Sequence, residues 1–250
     1  MRNFKAVIQY EGTKYQGWQR QERTDMTIQG KLENVLSRLD GRDVEVIGSG
    51  RTDAGVHAEG QVANFYLNSE KSVDHIMQYC NRFLPEDIVV SSLEEVPERF
   101  HARYLAERKT YRYRVDTGMV PDVFSRRYVY HFSQSLDLDA MKKAAVILCG
   151  THDFKAFTSN KKMKKSSIRT LEEIKIERHK NELWLTFIGD GFLYNMVRIL
   201  VGTLLEVGIG ARKPEEMTAI LQSEKREMAG AMAPAQGLTL IGVEYPKVVR

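Results

Sequence analysis

The residues best suited to do chemistry lie in a glycine-rich stretch, GSGRTDAGVHAEG, at residues 48–60. Arg51, Asp53 and His57 stand there between glycines, which permit positive φ angles and the close approach of another molecule to the backbone. A carboxylate in such a place can act as a nucleophile or a general base towards a bound substrate. In an ordinary turn it would instead cap its own backbone. Because the stretch is longer than a hairpin turn needs, we predict a functional loop centred on Asp53.

A zinc site is the main chemical alternative for this loop. His57-Ala58-Glu59 matches the H-x-E fragment of zinc deaminases, which also require P-C-x-x-C downstream. Cys80 and Cys149 each stand alone, with no proline before them. The sequence therefore predicts no metal site. Two roles stay open for His57, a general base four residues from Asp53 and a structural ring hydrogen-bonded to loop backbone, and we favour the second.

Composition indicates a soluble globular protein. The chain has 250 residues, of which 42% are hydrophobic and 28% charged, enough for a substantial core. Its two cysteines are too few for a disulfide scaffold. The first residues lack the apolar segment of a signal peptide, and the longest apolar patch is interrupted by Arg198 and Glu206. We therefore expect a cytoplasmic protein that does not associate with membranes.

Charge is distributed unevenly along the chain. Residues 1–102 contain 12 Lys and Arg against 16 Asp and Glu, whereas the remainder contains 25 against 17. The second part, with a net charge of +8, is therefore predicted to be the docking surface for a polyanion.

The first part alternates strands and helices. Ile28, Leu32, Leu36 and Leu39 recur at helical spacing behind Thr27, a good N-cap residue. A second helix is expected from Ser72 to Phe83, ahead of a proline, and gives the order β-α-β-β-α-β. The predicted strands are FKAVIQY (4–10), DVEVIG (43–48), QVANFYL (61–67) and DIVVSSLEEV (87–96).

The second part repeats this pattern. A helix is predicted from Leu136 up to Gly150, another from Phe192 to Val207, and a shorter one after Pro214. Lys180 and Asn181 are expected to form a hairpin turn. The predicted strands are TYRYRV (110–115), IRTLEEIKIERHK (168–180), ELWLTFIG (182–189) and LTLIGVEY (238–245).

These patterns predict an α+β fold of two tandem β-α-β-β-α-β halves, each ferredoxin-like or RRM-like. We expect their sheets to join into one larger mixed or antiparallel sheet with helices packed on it. The expected domains are residues 1–103, which carry the Asp53 loop, and residues 104–250, which carry the basic surface.

The whole sequence resembles the tRNA pseudouridine synthases of the TruA type. GSGRTDAGVHA closely resembles the signature of that family, and the further matches follow in order from end to end. One departure is Ile199, where the family often has a polar residue. The other matching stretches are YEGTKYQGWQRQ (10–21), FHAR (100–103), KTYRYRV (109–115), GTHDFKAF (150–157), GFLYNMVRILVG (191–202) and APAQGLTLIGVEYP (233–246).

The resemblance implies the pseudouridine synthase fold and an isomerase. Members of the family convert uridine to pseudouridine at positions 38, 39 and 40 of the tRNA anticodon stem-loop, need no cofactor, and act as homodimers. The target base must be turned out of the stack to be reached. The sequence leaves three roles open for Asp53: attack on the base, attack on the sugar, or removal of a sugar proton.

The resemblance also implies roles for individual residues. Asp53 matches the catalytic aspartate, and Arg198 the arginine that pairs with it and keeps it ionised. Arg51 matches the residue that fills the gap left by the displaced base. Tyr111 matches the tyrosine that stacks on the target uracil, and Leu238 the apolar residue on the other side of that base.

Two further expectations concern residues of the second part of the chain. Tyr113 lies on the same strand face as Tyr111, and we expect it in the core. Basic residues in SNKKMKKSSIR (159–169), a run without acids, are expected to contact backbone phosphate. The cations in question are Lys161, Lys162, Lys164 and Lys165, with Arg126 and Arg127 in addition.

The alternative from another class is a non-catalytic RNA-binding or tRNA-chaperone protein on the same scaffold. Such a protein would keep the basic half and the tyrosines but would have no use for Asp53. The intact GRTDAG stretch favours the enzyme.

Overall fold

The computed structural model describes residues 1–160 and 162–246. Within them the chain contains ten strands and five α-helices, which confirms the α+β class. Two compact units are present: Met1–Glu107 together with the chain from Leu240 onward, and Arg108–Thr239. The division into domains after residue 103 stays a prediction.

The first unit has the expected β-α-β-β-α-β order. Strand β1 pairs antiparallel with β3 on one side and β4 on the other, and β10 lies beside β3. The elements are β1 (Arg2–Tyr10), α1 (Ile28–Asp40), β2 (Ile47–Gly48), β3 (His57–Leu67), α2 (Val73–Phe83), β4 (Ile88–Val96) and, from Leu240 on, β10 (Leu238–Glu244).

Helix α1 forms where the spacing and the capping residue predict it. The Thr27 hydroxyl accepts a hydrogen bond from the Gly30 amide at 3.3 Å. Gly41 ends the helix with φ 73°, and its amide donates to the Ser37 carbonyl at 2.9 Å. Both helix ends are therefore satisfied by short-range contacts that the sequence already shows.

The strand predicted at DVEVIG is mostly wrong, because only Ile47–Gly48 pair with β3. The alternating burial is present, since Val44 and Val46 are buried. The amide of Val44, however, donates to the Ser37 hydroxyl at 2.9 Å, and that of Val46 to the Glu33 carboxylate at 3.1 Å. Side chains of α1 thus replace the neighbouring strand, and the segment forms no ladder.

The second unit is built on the antiparallel strand order β5-β9-β8-β7, with β6 parallel to β5. Lys180 makes the predicted hairpin turn at φ 55°. Strands β6 and β7 were not predicted; Gly150, expected to end α3, instead begins β7. The elements are β5 (Arg108–Asp116), β6 (Tyr130–His131), α3 (Leu138–Leu148), β7 (Gly150–Asp153), β8 (Ile168–His179), β9 (Glu182–Gly189), α4 (Met196–Gly208) and α5 (Glu216–Ser223).

Helix α4 begins four residues later than predicted. Asn195 adopts a left-handed conformation, with φ 62°, which separates the preceding Phe192–Tyr194 from the helix. Arg198 therefore lies in the first turn of α4. Within the described ranges, no helix combines the length and apolar character needed to cross a bilayer.

Candidate active site

The predicted catalytic loop connects β2 to β3 in the first unit. A turn places Asp53 at its start: the Val56 amide donates to the Asp53 carbonyl at 3.2 Å, and Gly55 has φ 78°. The Asp53 residue is half-buried and Arg51 is exposed. The loop therefore has a defined backbone, with its cation in contact with solvent.

The segment between β1 and α1 is hydrogen-bonded to this loop on both sides of Asp53. The Trp18 amide donates to the Thr52 carbonyl at 3.1 Å, and the Gly55 amide donates to the Tyr15 carbonyl at 3.3 Å. The flanking backbone of Asp53 is thus held by a segment about 35 residues earlier in the chain.

Two glycines allow that close approach. A Cβ at Gly12 would lie 2.0 Å from the Val56 carbonyl oxygen, and one at Gly17 would lie 2.7 Å from the Thr52 carbonyl oxygen. Gly17 also has φ 93°, where a side chain is disfavoured. Sequence reasoning did not assign these two positions, although both lie in YEGTKYQGWQRQ. They explain why that motif accompanies the loop around Asp53.

Buried side chains form hydrogen bonds with the loop. The hydroxyls of Tyr10 and Thr52 are 2.8 Å apart, and burial raises the pKa of Tyr10 well above its usual value. The Ser49 hydroxyl donates to the Gln61 side-chain oxygen at 2.7 Å, and the Gln61 amide group donates to the Gly50 carbonyl at 3.2 Å. These contacts on both sides of Arg51 leave the loop little conformational freedom.

The His57 ring is hydrogen-bonded to backbone, and its role stays a prediction. Its buried ring accepts a hydrogen bond at Nδ1 from the Gly12 amide at 3.0 Å, although this amide belongs to the preceding segment rather than to the loop of His57. Nδ1 also lies 3.7 Å from a Glu11 carboxylate oxygen. Because Nδ1 accepts, the proton of the neutral ring is on Nε2.

In the second unit, Tyr111 is a buried residue of β5. It faces Phe187 across the pair with β9, and the Phe192 ring packs edge-on against it, with centroids 5.0 Å apart at 79°. Tyr113 is fully buried, and its hydroxyl donates to the Pro234 carbonyl at 2.8 Å. The prediction that Tyr113 belongs to the core is confirmed.

Arg198 is held in place by hydrogen bonds at two atoms of its guanidinium. Nε donates to the Ala233 carbonyl at 2.8 Å, and Nη1 donates to the Asn195 side-chain oxygen at 3.3 Å. Asn195 in turn donates to the Ser159 hydroxyl at 2.6 Å. Asn195 was not predicted as a site residue; its position three residues before an arginine in an apolar helix was the available signal.

The segment before Leu238 is hydrogen-bonded to both Arg198 and Tyr113. Neighbouring carbonyls, those of Ala233 and Pro234, accept from Arg198 and Tyr113. Leu238 itself is buried at the start of β10. The structure therefore brings Arg198 and Tyr113 together with the segment that precedes Leu238, all within the second unit. Asp53 and Arg51 belong to the first unit.

Within the described residues, the cations that were predicted to contact phosphate are exposed. Arg126 donates to the Val123 carbonyl. Lys161 lies outside the described residues. The exposed ones are Lys162, Lys164, Lys165, Arg126 and Arg127.

Comparison with known proteins identifies the family. A family model described as tRNA pseudouridine synthase matches residues 6–105 and 144–246. Proteins named tRNA pseudouridine synthase A from Bacillus sp. (strain KSM-64) and Acetivibrio thermocellus are 48% and 47% identical to this chain. A tRNA pseudouridine synthase A 1 from Clostridium tetani is 48% identical. Each match covers 98% of this chain and 100% of the relative.

The α+β fold, the aspartate loop and these matches agree on one class of protein. The chain belongs to the tRNA pseudouridine synthase family, and its relatives are of the A type that the sequence resembles. A non-catalytic binding protein is not favoured by these relatives.

Proposed function

We propose that this chain converts uridine to pseudouridine in tRNA. The observation that carries the proposal is the intact GRTDAG loop, whose backbone is held on both sides of Asp53 by the glycine-containing segment before α1. A catalytic group must be held close to its reacting geometry, and these contacts fix the backbone from which the Asp53 carboxylate extends.

The proposed reaction is an isomerisation. The C1′–N1 glycosidic bond of a flipped-out uridine breaks, the uracil rotates, C1′ bonds to C5, and the hydrogen of C5 leaves to solvent as a proton while N1 gains one. Atoms and electrons balance without an oxidant or a reductant. The proposed targets are positions 38, 39 and 40 of the anticodon stem-loop, and the proposed setting is a homodimer in the cytoplasm.

Roles for the site residues follow from the family. Asp53 is proposed as the catalytic carboxylate, with Arg198 keeping it ionised. Tyr111 and Leu238 are proposed to pack on the two faces of the uracil, and aromatic stacking by the tyrosine contributes about 1–3 kcal/mol per base. Arg51 is proposed to occupy the space of the displaced base. The positioned guanidinium of Arg198 and the well-packed ring of Tyr111 support these assignments.

Replacing Asp53 by asparagine tests the proposal. Tritium release from tRNA labelled at uridine C5 should fall by more than about a thousandfold, because the carboxylate is lost while the side chain keeps its size. Affinity for tRNA should persist. Asp43 is an exposed aspartate of the same compact unit, so Asp43→Asn is the matched control and should keep full turnover.

The position of the product is checked by carbodiimide-dependent reverse-transcription stops on unmodified tRNA. New stops in the anticodon arm with the wild-type protein are expected. Turnover by Asp53→Asn at the wild-type rate would remove Asp53 from its role, and an absence of stops with the wild-type protein would refute the activity itself.

A further inference from the structure

The turn at residues 99–105, which follows β4, presents an exposed aromatic ring. Tyr104 is 76% exposed, and its ring lies against that of His101, with centroids 4.1 Å apart and the two planes tilted by 31°. The contact with His101 favours one rotamer of Tyr104 without burying its ring. The tyrosine therefore presents an aromatic ring to solvent.

The base of this turn is anchored by buried amide side chains. The Ala102 amide donates to Asn64 Oδ1 at 2.9 Å, and the Ala102 carbonyl accepts from the Tyr245 hydroxyl at 2.7 Å. Asn64 donates to Asn3 Oδ1 at 3.1 Å, and Asn3 donates to the Phe100 carbonyl at 2.9 Å. Because buried amides are costly unless hydrogen-bonded, this network holds the turn in one conformation.

Within the turn, His101 fixes the position of Tyr104. Its Nδ1 accepts from the amides of Arg103 at 3.2 Å and Tyr104 at 3.3 Å, and its carbonyl accepts from the Leu105 amide at 3.1 Å. The same ring thus caps the turn and supports the tyrosine. Such local capping leaves the Tyr104 ring little entropy to lose when it binds a ligand.

Two cations of the turn are available for a ligand. Arg99 and Arg103 are exposed, and neither guanidinium has a hydrogen-bond or ion-pair partner anywhere in residues 1–160 and 162–246. By contrast, Arg2 of the same unit is paired with Glu95 at 2.7 Å. An exposed aromatic ring in the same short turn as unpaired guanidinium groups is a combination that binds single-stranded nucleic acid.

We propose that the turn at residues 99–105 is a stacking platform for an unpaired nucleotide of the RNA substrate. The base lies on the Tyr104 ring, and Arg99 and Arg103 contact the phosphates beside it. This inference rests on the proposed function for the identity of the RNA. It adds a substrate contact outside the residues assigned to the target uridine.

The test compares variants of Tyr104 in the full-length protein. Tyr104→Ala should weaken binding to unmodified tRNA by about fivefold or more, the lower range for loss of one stacked base, measured by fluorescence anisotropy. Tyr104→Phe should bind like the wild type, because it keeps the ring. Phe83→Ala is the matched control: Phe83 is 49% exposed and lies 5.5 Å from the Arg82 guanidinium, yet should leave tRNA affinity unchanged.

A direct readout comes from Tyr104→Trp. Its added fluorescence should be quenched by tRNA but not by a blunt RNA duplex, whose bases are already stacked. Arg103→Gln should reduce the slope of the logarithm of the binding constant against the logarithm of the salt concentration by about one. In single-turnover assays the tRNA concentration that gives the half-maximal rate should rise by the same factor of about five or more in Tyr104→Ala, which assigns the effect to substrate binding.

Unchanged tRNA affinity in Tyr104→Ala would overturn the proposal. So would a change of sedimentation with unchanged tRNA affinity, which would assign the ring to a protein contact. If the wild-type protein bound tRNA without turning it over, the proposed function would fail while the affinity comparison would still decide the platform.

Discussion

Replacing Gly17 by alanine should displace the loop that carries Asp53. The new Cβ would lie 2.7 Å from the Thr52 carbonyl oxygen and 3.2 Å from the Asp53 carbonyl carbon. Ordinary contact begins at 3.4 Å, so the two backbones must separate by about 0.7 Å at the closest pair. Both contacts are with backbone, which has no rotamer to change. The backbone of Thr52 and Asp53 must therefore move, and the Asp53 side chain moves with it.

The expected magnitude has two parts. Alanine at φ 93° costs about 1 kcal/mol from backbone strain, and the forced separation adds about 1–2 kcal/mol, as overpacking does elsewhere. The free energy of unfolding should thus fall by about 2–3 kcal/mol. A displacement approaching 1 Å at a reacting group can cost about a hundredfold in rate, and we expect turnover to fall by at least about tenfold.

Gly41→Ala provides the matched control. Gly41 has φ 73°, and a Cβ there would have no neighbour within 4 Å. This variant should lose about 1 kcal/mol of stability and no activity. Urea unfolding measures the first quantity, and single-turnover tritium release from C5-labelled tRNA, well below the melting temperature, measures the second. If Gly17→Ala turned over as fast as Gly41→Ala, the contact would not position the loop.

Two further predictions concern the second unit. Tyr113→Phe leaves the Pro234 carbonyl without its 2.8 Å donor and should lower the free energy of unfolding by about 1–3 kcal/mol, seen as a lower urea midpoint; an unchanged midpoint would contradict the assigned bond. Arg114 donates a hydrogen bond to the Glu182 carboxylate and holds the pKa of that carboxyl below its usual value. This pair therefore stabilises the fold above about pH 4–5. The contribution is lost as the pH falls through the lowered pKa. Glu182→Gln should therefore be less stable than wild type at pH 7, by about 1 kcal/mol or less because the pair is partly exposed. The difference should shrink as the pH falls through the lowered pKa of the Glu182 carboxyl; a difference that does not change with pH would refute the linkage.

Local patterns were sufficient for the helices and most strands. Thr27 and Gly41 cap α1 through contacts within four residues, and Lys180 makes its hairpin turn at the predicted place. DVEVIG shows the limit of such patterns. Its alternating burial is real, but whether the amides of Val44 and Val46 find a strand or the side chains of α1 depends on what packs beside them.

The family, the fold class and the aspartate loop were evident from the sequence alone, because a motif and a periodicity are written in consecutive residues. The tertiary structure decided how that loop is held: Gly12 and Gly17 touch its backbone from a distant segment. It also decided that Asn3 and Asn64 anchor the turn before Tyr104. The physical reason is that a hydrogen bond or a steric contact between residues far apart in sequence leaves no periodic trace in either segment, and exists only once the chain has folded.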